Sequence, residues 1–284
     1  MIYNSIYNLN GYWSPTTSSI DWCEENYTMT KYIAEFWNTL SNGIYIAFAL
    51  IGIWFVKKYH YEKRYFWAYF GLLCIGIGSW LFHMTLKYQM ELADELPMIY
   101  TCCISIYCIF ETSNIKTYRP YILINLWIIA LLFTVIYTEI ISWPWFQHGA
   151  IIFLIGVIIY RSLYYIHDLS NTNALKKNLS IQKHLNILRV LLVVCAFTYA
   201  LAFLLWNIDN TQCNYLISLR NKYPSLKFLF QFHAWWHILT GIGTYYYFIF
   251  SQYLRNIICD YEYTQMEWLF HLVPYVSRSY KHTL

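Results

Sequence analysis

Long apolar stretches dominate this chain of 284 residues. Seven stretches lack Asp, Glu, Lys and Arg, and they cover residues 38–56, 65–82, 96–110, 120–138, 140–160, 190–208 and 228–254. A helix that crosses a membrane needs about 20 residues. The two shortest stretches reach that length only with polar ends, so the second helix should extend to about Lys87 and the third should begin near Asp94. The pattern predicts an all-α membrane protein, a bundle of seven transmembrane helices.

The composition supports this interpretation and excludes other classes of protein. Hydrophobic residues make up 58% of the chain and charged residues only 12%, against about 25% charged in a typical soluble domain. Such a chain cannot cover a soluble surface, and it is far too apolar to be disordered. A formal charge of +4 provides no basic stripe for nucleic acid.

The basic residues predict the orientation of the bundle. Most Lys and Arg residues fall between alternate stretches on one side, and cytoplasmic segments are the ones enriched in these residues. The distribution of Lys and Arg predicts that the N-terminus lies in a lumen and the C-terminus in the cytosol. Residues 1–10 show no cleavable signal, so the first helix should act as its own signal. We therefore predict a lumenal segment at 1–34, a transmembrane catalytic domain at 35–254 and a cytosolic tail at 255–284.

Two of the eight cysteines face the lumenal side in this topology, Cys23 and Cys213. Thiols in an oxidising compartment favour a disulfide. Two unpaired thiols are the alternative, because the sequence does not show whether their Cα atoms lie within bridging distance.

Three histidines are predicted to meet in one leaflet. His233 and His237 are four residues apart and share a face of the seventh helix. His83 lies near the lumenal end of the second helix, at the same depth. Three imidazoles suit an open catalytic zinc site. A set of hydrogen-bonded structural histidines is the alternative.

Two oxygen-bearing side chains are expected beside these histidines. Ser79 precedes His83 by one helical turn, and Asp94 follows it across a short turn. Asp94 could exchange protons with a reacting water and Ser79 could stabilise an oxyanion. The alternatives are that Asp94 caps the third helix and that Ser79 bonds to its own preceding turn.

Hard oxygen donors precede the first helix, at Asp21, Glu24, Asn26 and Glu35. Their chemistry suits Ca²⁺, although the spacing is not that of an EF-hand. A solvated acidic loop is the alternative.

Together, these motifs resemble the alkaline ceramidases, seven-helix amidases of the wider ceramidase and progestin/adipoQ-receptor hydrolase superfamily. The resemblance rests on blocks in family order, which are Gly11-Tyr12-Trp13, Asp21-Trp22-Cys23-Glu24-Glu25-Asn26-Tyr27, Ala34-Glu35-Phe36-Trp37-Asn38, residues 78–88, Asp94-Glu95-Leu96-Pro97-Met98 and His233-Ala234-Trp235-Trp236-His237. It implies hydrolysis of the ceramide amide bond to a sphingoid base and a fatty acid. The ceramide-type lipid and the membrane lipid are then the partners, with no obligate protein partner.

The resemblance also implies a role for each motif residue. Zinc would be held by His83, His233 and His237, with Asp94 as general acid and base and Ser79 beside the metal. Calcium would be held by Asp21, the Trp22 carbonyl, Glu24, Asn26 and Glu35, and Cys23 would be bridged to Cys213. The family favours the endoplasmic reticulum membrane, with the Golgi second. Another lipid amidase or esterase of the superfamily, or a seven-helix receptor or transporter, is the alternative function.

Overall fold

The computed structural model describes residues 11–112, 119–141, 143–171, 179–260 and 264–278. The first ten residues of the predicted lumenal segment lie outside these ranges, as do residues 261–263 and 279–284 of the predicted tail.

Helices account for most of the described chain. They are α1 (Phe36–Ser41), α2 (Gly43–Lys58), α3 (Lys63–Thr85), α4 (Tyr88–Phe110), α5 (Pro120–Val135), α6 (Pro144–Asn171), α7 (Leu179–Thr211), α8 (Cys213–Lys222) and α9 (Phe232–Asp260). A π-helical turn (Ile136–Ile140) extends α5, and a 3₁₀ segment (Pro224–Phe230) precedes α9.

Six helical stretches are long and apolar enough to cross a membrane, as expected of a multi-pass membrane protein. They are Phe36–Lys58, Lys63–Thr85, Tyr88–Phe110, Pro120–Glu139, Trp145–Asn171 and Gln182–Thr211. Large apolar side chains such as Trp127, Leu131 and Phe153 are exposed on them, which is typical of a surface that faces lipid. Helix α9 has 29 residues but is not among these six. The seventh span and the orientation therefore stay predictions.

The start of α4 differs from the expectation. Helix α3 ends at Thr85, close to the predicted end, but α4 begins at Tyr88 rather than near Asp94. Its polar first turn can be helical because the Glu91 carboxylate is satisfied: it accepts the backbone N–H of Ser19 at 2.7 Å and also the Ser19 hydroxyl. Because hydropathy takes no account of such contacts, it predicts that this polar turn lies outside the third membrane helix.

The chain divides into two compact units. The first comprises Met1–Ala49, Leu72–Met98 and Phe197–Gly243, and it contains every predicted site residue. Here the N-terminal segment docks on the turn between α3 and α4. The amide of Ala34 donates to the Met84 carbonyl and that of Glu35 to the His83 carbonyl, each at 3.0 Å.

A disulfide joins Cys23 to Cys213 in this first unit, with a Cα–Cα distance of 5.4 Å. The predicted bridge is confirmed. It fastens the N-terminal segment to the start of α8, across 190 positions of sequence.

The second unit comprises Leu50–Gly71, Ile99–Ala196 and Thr244–Leu284. Within it, β1 (Thr264–Leu269) and β2 (Val273–Arg278) form an antiparallel hairpin that the sequence analysis did not predict. Two buried tyrosines hold its second strand: Tyr61 donates to the Val276 carbonyl at 2.9 Å and Tyr245 to the Pro274 carbonyl at 2.8 Å.

Candidate active site

The three predicted histidines converge at a buried point of the first unit. His83 comes from the last turn of α3, whereas His233 and His237 come from the first two turns of α9. One ring nitrogen from each histidine lies within 4.8 Å of the others, and all three side chains are buried. Successive turns of one helix and the end of another therefore create a three-nitrogen site.

Hydrogen bonds orient two of these imidazoles. Nδ1 of His83 lies 2.5 Å from the Glu35 carboxylate, which can only accept when it is ionised. Nδ1 of His237 lies 2.8 Å from the hydroxyl of Ser41, which itself donates to the Asn38 carbonyl. When Glu35 is ionised, both Nδ1 atoms therefore carry the ring proton, and the Nε2 atoms keep the lone pairs that a metal needs. Histidine ligands in metal sites are oriented in this way.

The third imidazole is positioned by stacking. The rings of His233 and Trp22 lie 3.9 Å apart between centroids, at an angle of 24°. Because Trp22 belongs to the predicted calcium loop, this loop reaches the histidine cluster through a ring as well as through Glu35.

Asp94 and Ser79 lie side by side, and their hydroxyl–carboxylate hydrogen bond joins α4 to α3. Asp94 sits in the second turn of α4, so the alternative that it caps the helix is wrong. The Ser79 hydroxyl bonds to Asp94 rather than to a carbonyl of its own preceding turn.

A close approach of the two helix backbones permits this pair. A Cβ on Gly78 would lie 2.9 Å from the backbone nitrogen of Asp94 and would overlap the Ala93 carbonyl. Only glycine fits at position 78 without moving one helix, and Ser79 follows it directly.

The predicted calcium residues also lie in the first unit, but several of them bond to protein groups. Both carboxylate oxygens of Glu24 accept backbone N–H groups at 2.8 Å, from Trp37 and Asn38 at the start of α1. Glu35 accepts the Trp22 amide at 3.3 Å. Asn26 donates to Asp21 at 3.2 Å, while its own carbonyl oxygen is buried with no hydrogen-bond partner.

The electrostatics of this loop favour a cation. Burial, followed by repulsion from Glu35, raises the pKa of Glu24 to about 8. Burial also raises the pKa of Asp21. The amide oxygen of Asn26, which has no hydrogen-bond partner, and the carboxylates of this loop are the kinds of ligand that Ca²⁺ prefers. Three imidazole nitrogens are typical ligands of zinc. Both donor sets are compatible with the expected metals.

Arg220 is a buried cation near these residues that the sequence analysis did not assign to the site. Its guanidinium pairs with Glu25 at 3.0 Å and donates to the Cys23 carbonyl at 2.6 Å. It also donates to the Phe230 carbonyl and to the Gln231 side chain, each at 3.1 Å. One side chain thus connects the predicted calcium loop to the residues that precede α9.

Asp209 is the second residue that was missed. Its carboxylate is buried near Arg220 and accepts the backbone N–H groups of His233 and Cys23. The only available signal was an acidic residue that directly follows the apolar stretch 190–208.

Comparison with protein families matches residues 14–277 to the family described as Ceramidase. The chain belongs to the ceramidase family. Among curated relatives, it is 42% identical to alkaline ceramidase 3 of Mus musculus, over 94% of each chain. It is 34% identical to alkaline ceramidase YPC1 of Saccharomyces cerevisiae, over 89% of this chain and 83% of the relative. It is also 30% identical to a putative alkaline ceramidase, dcd3B, of Dictyostelium discoideum, over 84% of this chain and 87% of the relative.

Family membership confirms the resemblance drawn from the motifs. The family match includes every residue of the candidate site, from Asp21 to His237. It identifies the chain as a member of an enzyme family, so the histidine cluster is a candidate active site rather than a structural cluster alone.

Proposed function

We propose that this protein hydrolyses the amide bond of ceramide within the membrane, in a zinc-dependent reaction that releases a sphingoid base and a free fatty acid. The ceramidase family match and the relatives named as alkaline ceramidases support the substrate class. The observation that carries the reaction type is the convergence of three buried histidine nitrogens within 4.8 Å of one another.

His83, His233 and His237 would hold the zinc ion. A zinc ion bound there would polarise the amide carbonyl and lower the pKa of a nearby water, which prepares both partners of a hydrolysis. Glu35 and Ser41 keep two of these imidazoles in the required tautomer through bonds of 2.5 and 2.8 Å to the Nδ1 atoms.

Asp94 is the proton carrier in this proposal. Its carboxylate would take a proton from the attacking water and deliver it to the departing amine nitrogen. Ser79 holds the carboxylate in place through their hydrogen bond. Because one hydroxyl has one proton, Ser79 would have to release Asp94 before it could donate to an oxyanion. Its first role is therefore to orient Asp94.

Calcium would occupy the N-terminal loop and stabilise it without entering the chemistry. Its ligands would be the Asn26 amide oxygen, the Trp22 carbonyl and the carboxylates of Asp21, Glu24 and Glu35. The buried, unpartnered Asn26 oxygen supports this assignment. Glu35 would contact calcium and the zinc ligand His83 with one carboxylate, which couples the two sites.

The proposal includes seven spans, a lumenal N-terminus and residence in the endoplasmic reticulum membrane, with the Golgi second. The disulfide supports a lumenal first unit because such bridges persist in oxidising compartments.

Lipid product analysis of the purified protein tests the proposal. Ceramides of different acyl length and sphingoid base would be supplied in detergent, beside an N-acylethanolamine and a fatty acid ester. We expect a sphingoid base and a fatty acid from ceramide, loss of turnover when zinc is chelated, and recovery when zinc is restored. Cleavage of only the other two substrates would favour another amidase or esterase. Absence of any hydrolysis by zinc-loaded protein would favour a receptor or transporter.

A further inference from the structure

A cleft of about 430 Å³ opens in the second unit, between the end of α2 and the start of α3. Its size is within the range of about 300–1,000 Å³ that is typical of small-molecule sites. Its lining combines cationic, aromatic and aliphatic side chains: Val56, Lys57, His60, Tyr61, Lys63 and Phe66, with Trp67 at one wall. None of these residues takes part in the candidate active site.

The charge of the cleft is uncompensated. Lys57 and Lys63 are exposed, and neither forms an ion pair with an acidic side chain in the described parts of the chain. The neighbouring carboxylate, Glu62, is engaged by Arg64 at 2.5 Å and by Arg255 at 2.8 Å. The first turn of α3 adds the positive end of a helix dipole. The cleft is therefore suited to an anion.

The walls are suited to a hydrocarbon chain. The Lys57 ammonium lies 5.8 Å from the centroid of Phe66, so the cationic and aromatic surfaces adjoin. Trp67 is 52% exposed, and Phe70, three residues further along α3, is 40% exposed. This aromatic surface continues from the cleft along α3, whose Lys63–Thr85 stretch is a candidate membrane span.

The position in the fold indicates where the anion comes from. The cleft lies where two candidate spans, Phe36–Lys58 and Lys63–Thr85, end and begin. Lipid headgroups occupy that level of a bilayer, and basic pockets between transmembrane helices bind anionic headgroups there.

We propose that this cleft binds an anionic phospholipid, with its phosphate between Lys57 and Lys63 and one acyl chain along Phe66 and Trp67. The site is separate from the hydrolysis of ceramide, so its failure in a test would leave the proposed function unaffected.

Native mass spectrometry of the purified, detergent-solubilised protein tests the site. Phosphatidylserine and phosphatidylcholine with the same acyl chains would be titrated against wild type and against Lys57→Gln/Lys63→Gln. We expect wild type to prefer phosphatidylserine and the double variant to bind it about 30-fold more weakly, from about five-fold per lysine near a headgroup. Trp67→Ala should weaken binding of both lipids.

The matched control is Lys58→Gln/Lys183→Gln, which removes two exposed charges outside the cleft lining. It should bind phosphatidylserine as wild type does, and all variants should hydrolyse ceramide at the wild-type rate. Equal binding of the two lipids by wild type, or unchanged binding by the double variant, would overturn the proposal. Displacement of the lipid by inorganic phosphate, or tighter binding of oleate, would also overturn it, by identifying a free anion or a fatty acid as the ligand.

Discussion

Each unit contains a cluster of charged side chains, and the two clusters are compensated in different ways. In the second unit, Arg64 and Arg255 share Glu62, and Arg255 also donates to the Thr112 carbonyl at 2.9 Å. In the first unit, Glu24, Glu35 and Asp209 are buried and Glu35 contacts the histidine cluster, while the buried cation Arg220 is already paired with Glu25. The charges of Glu62, Arg64 and Arg255 compensate one another, which is typical of a structural cluster. Those of the first unit call for added cations, which is typical of a metal site.

The largest contrast should come from replacing one carboxylate in each unit. Asp94→Asn should lower turnover by about 10²–10⁴-fold, because the amide cannot carry the proton, while zinc content stays unchanged. Glu111→Gln in the second unit should leave turnover near wild type, since Glu111 lies outside the candidate site. Steady-state hydrolysis and metal analysis check this prediction. An Asp94→Asn enzyme with normal turnover would remove Asp94 from its proposed role.

Replacing the partner of a buried cationic or imidazole group should separate the units next. Glu35→Gln should weaken zinc binding by about 10–100-fold, because residues that orient a metal-bound histidine have effects of this size. Glu62→Gln removes the shared partner of Arg64 and Arg255, so it should lower the melting temperature without changing zinc affinity. Competition with a zinc chelator measures both. Equal zinc affinity in the two variants would contradict the role assigned to the bond between Glu35 and His83.

Two glycines extend the comparison to backbone packing. Gly78→Ala introduces a Cβ that overlaps Ala93, so it should cost about 1–3 kcal/mol in unfolding free energy and also lower turnover by separating Ser79 from Asp94. Gly156→Ala is the control, because no heavy atom lies within 4 Å of its added Cβ. It should be neutral or stabilising by up to about 1 kcal/mol. Matching losses of stability in both variants would show that the approach of α3 to α4 is not tight.

Calcium removal should have the smallest effect on turnover, and its effect on stability should depend on pH. The Glu24 pKa is raised from 4.5 to about 8 in the folded protein without a cation, so between these values the folded state holds a proton that the unfolded state has lost. Stability of the calcium-free protein should therefore fall as the pH rises through this window. Calcium binds the ionised carboxylate, so its stabilising effect should grow over the same window.

Thermal unfolding with and without a calcium-selective chelator, at several pH values and constant zinc content, checks this. At a hundredfold excess over its Kd, calcium should contribute about 2.7 kcal/mol. Identical melting temperatures with and without calcium across the window would indicate a solvated acidic loop.

Much of the candidate site could be predicted because its signals are local or chemically unusual. The spacing of His233 and His237 places both side chains on one helical face. The position of His83 could be predicted because the second and seventh apolar stretches run in opposite directions, which brings all three histidines to the same leaflet. The bond between Glu35 and His83 joins residues 48 positions apart. Such a pairing depends on how the N-terminal segment docks, which no periodicity encodes.

The fold was predictable where hydropathy decides and not where polar contacts decide. Apolar stretches located the membrane helices, but the polar first turn of α4 depends on Ser19, 72 positions from Glu91. The hairpin of β1 and β2 mixes aromatic and polar residues without a clear alternation, and its docking depends on Tyr61 and Tyr245. Arg220 looked like a surface cation because its partners lie in distant segments.

The most direct test of the central claim compares a histidine from each unit. His83 belongs to the cluster, whereas His184 bonds to the Tyr253 hydroxyl at 2.6 Å in the second unit. Zinc content and ceramide hydrolysis would be measured on wild type, His83→Ala and His184→Ala, purified in parallel. We expect bound zinc and release of a sphingoid base from wild type and His184→Ala, and neither from His83→Ala. Hydrolysis by zinc-free wild type, or by His83→Ala at the wild-type rate, would contradict the account.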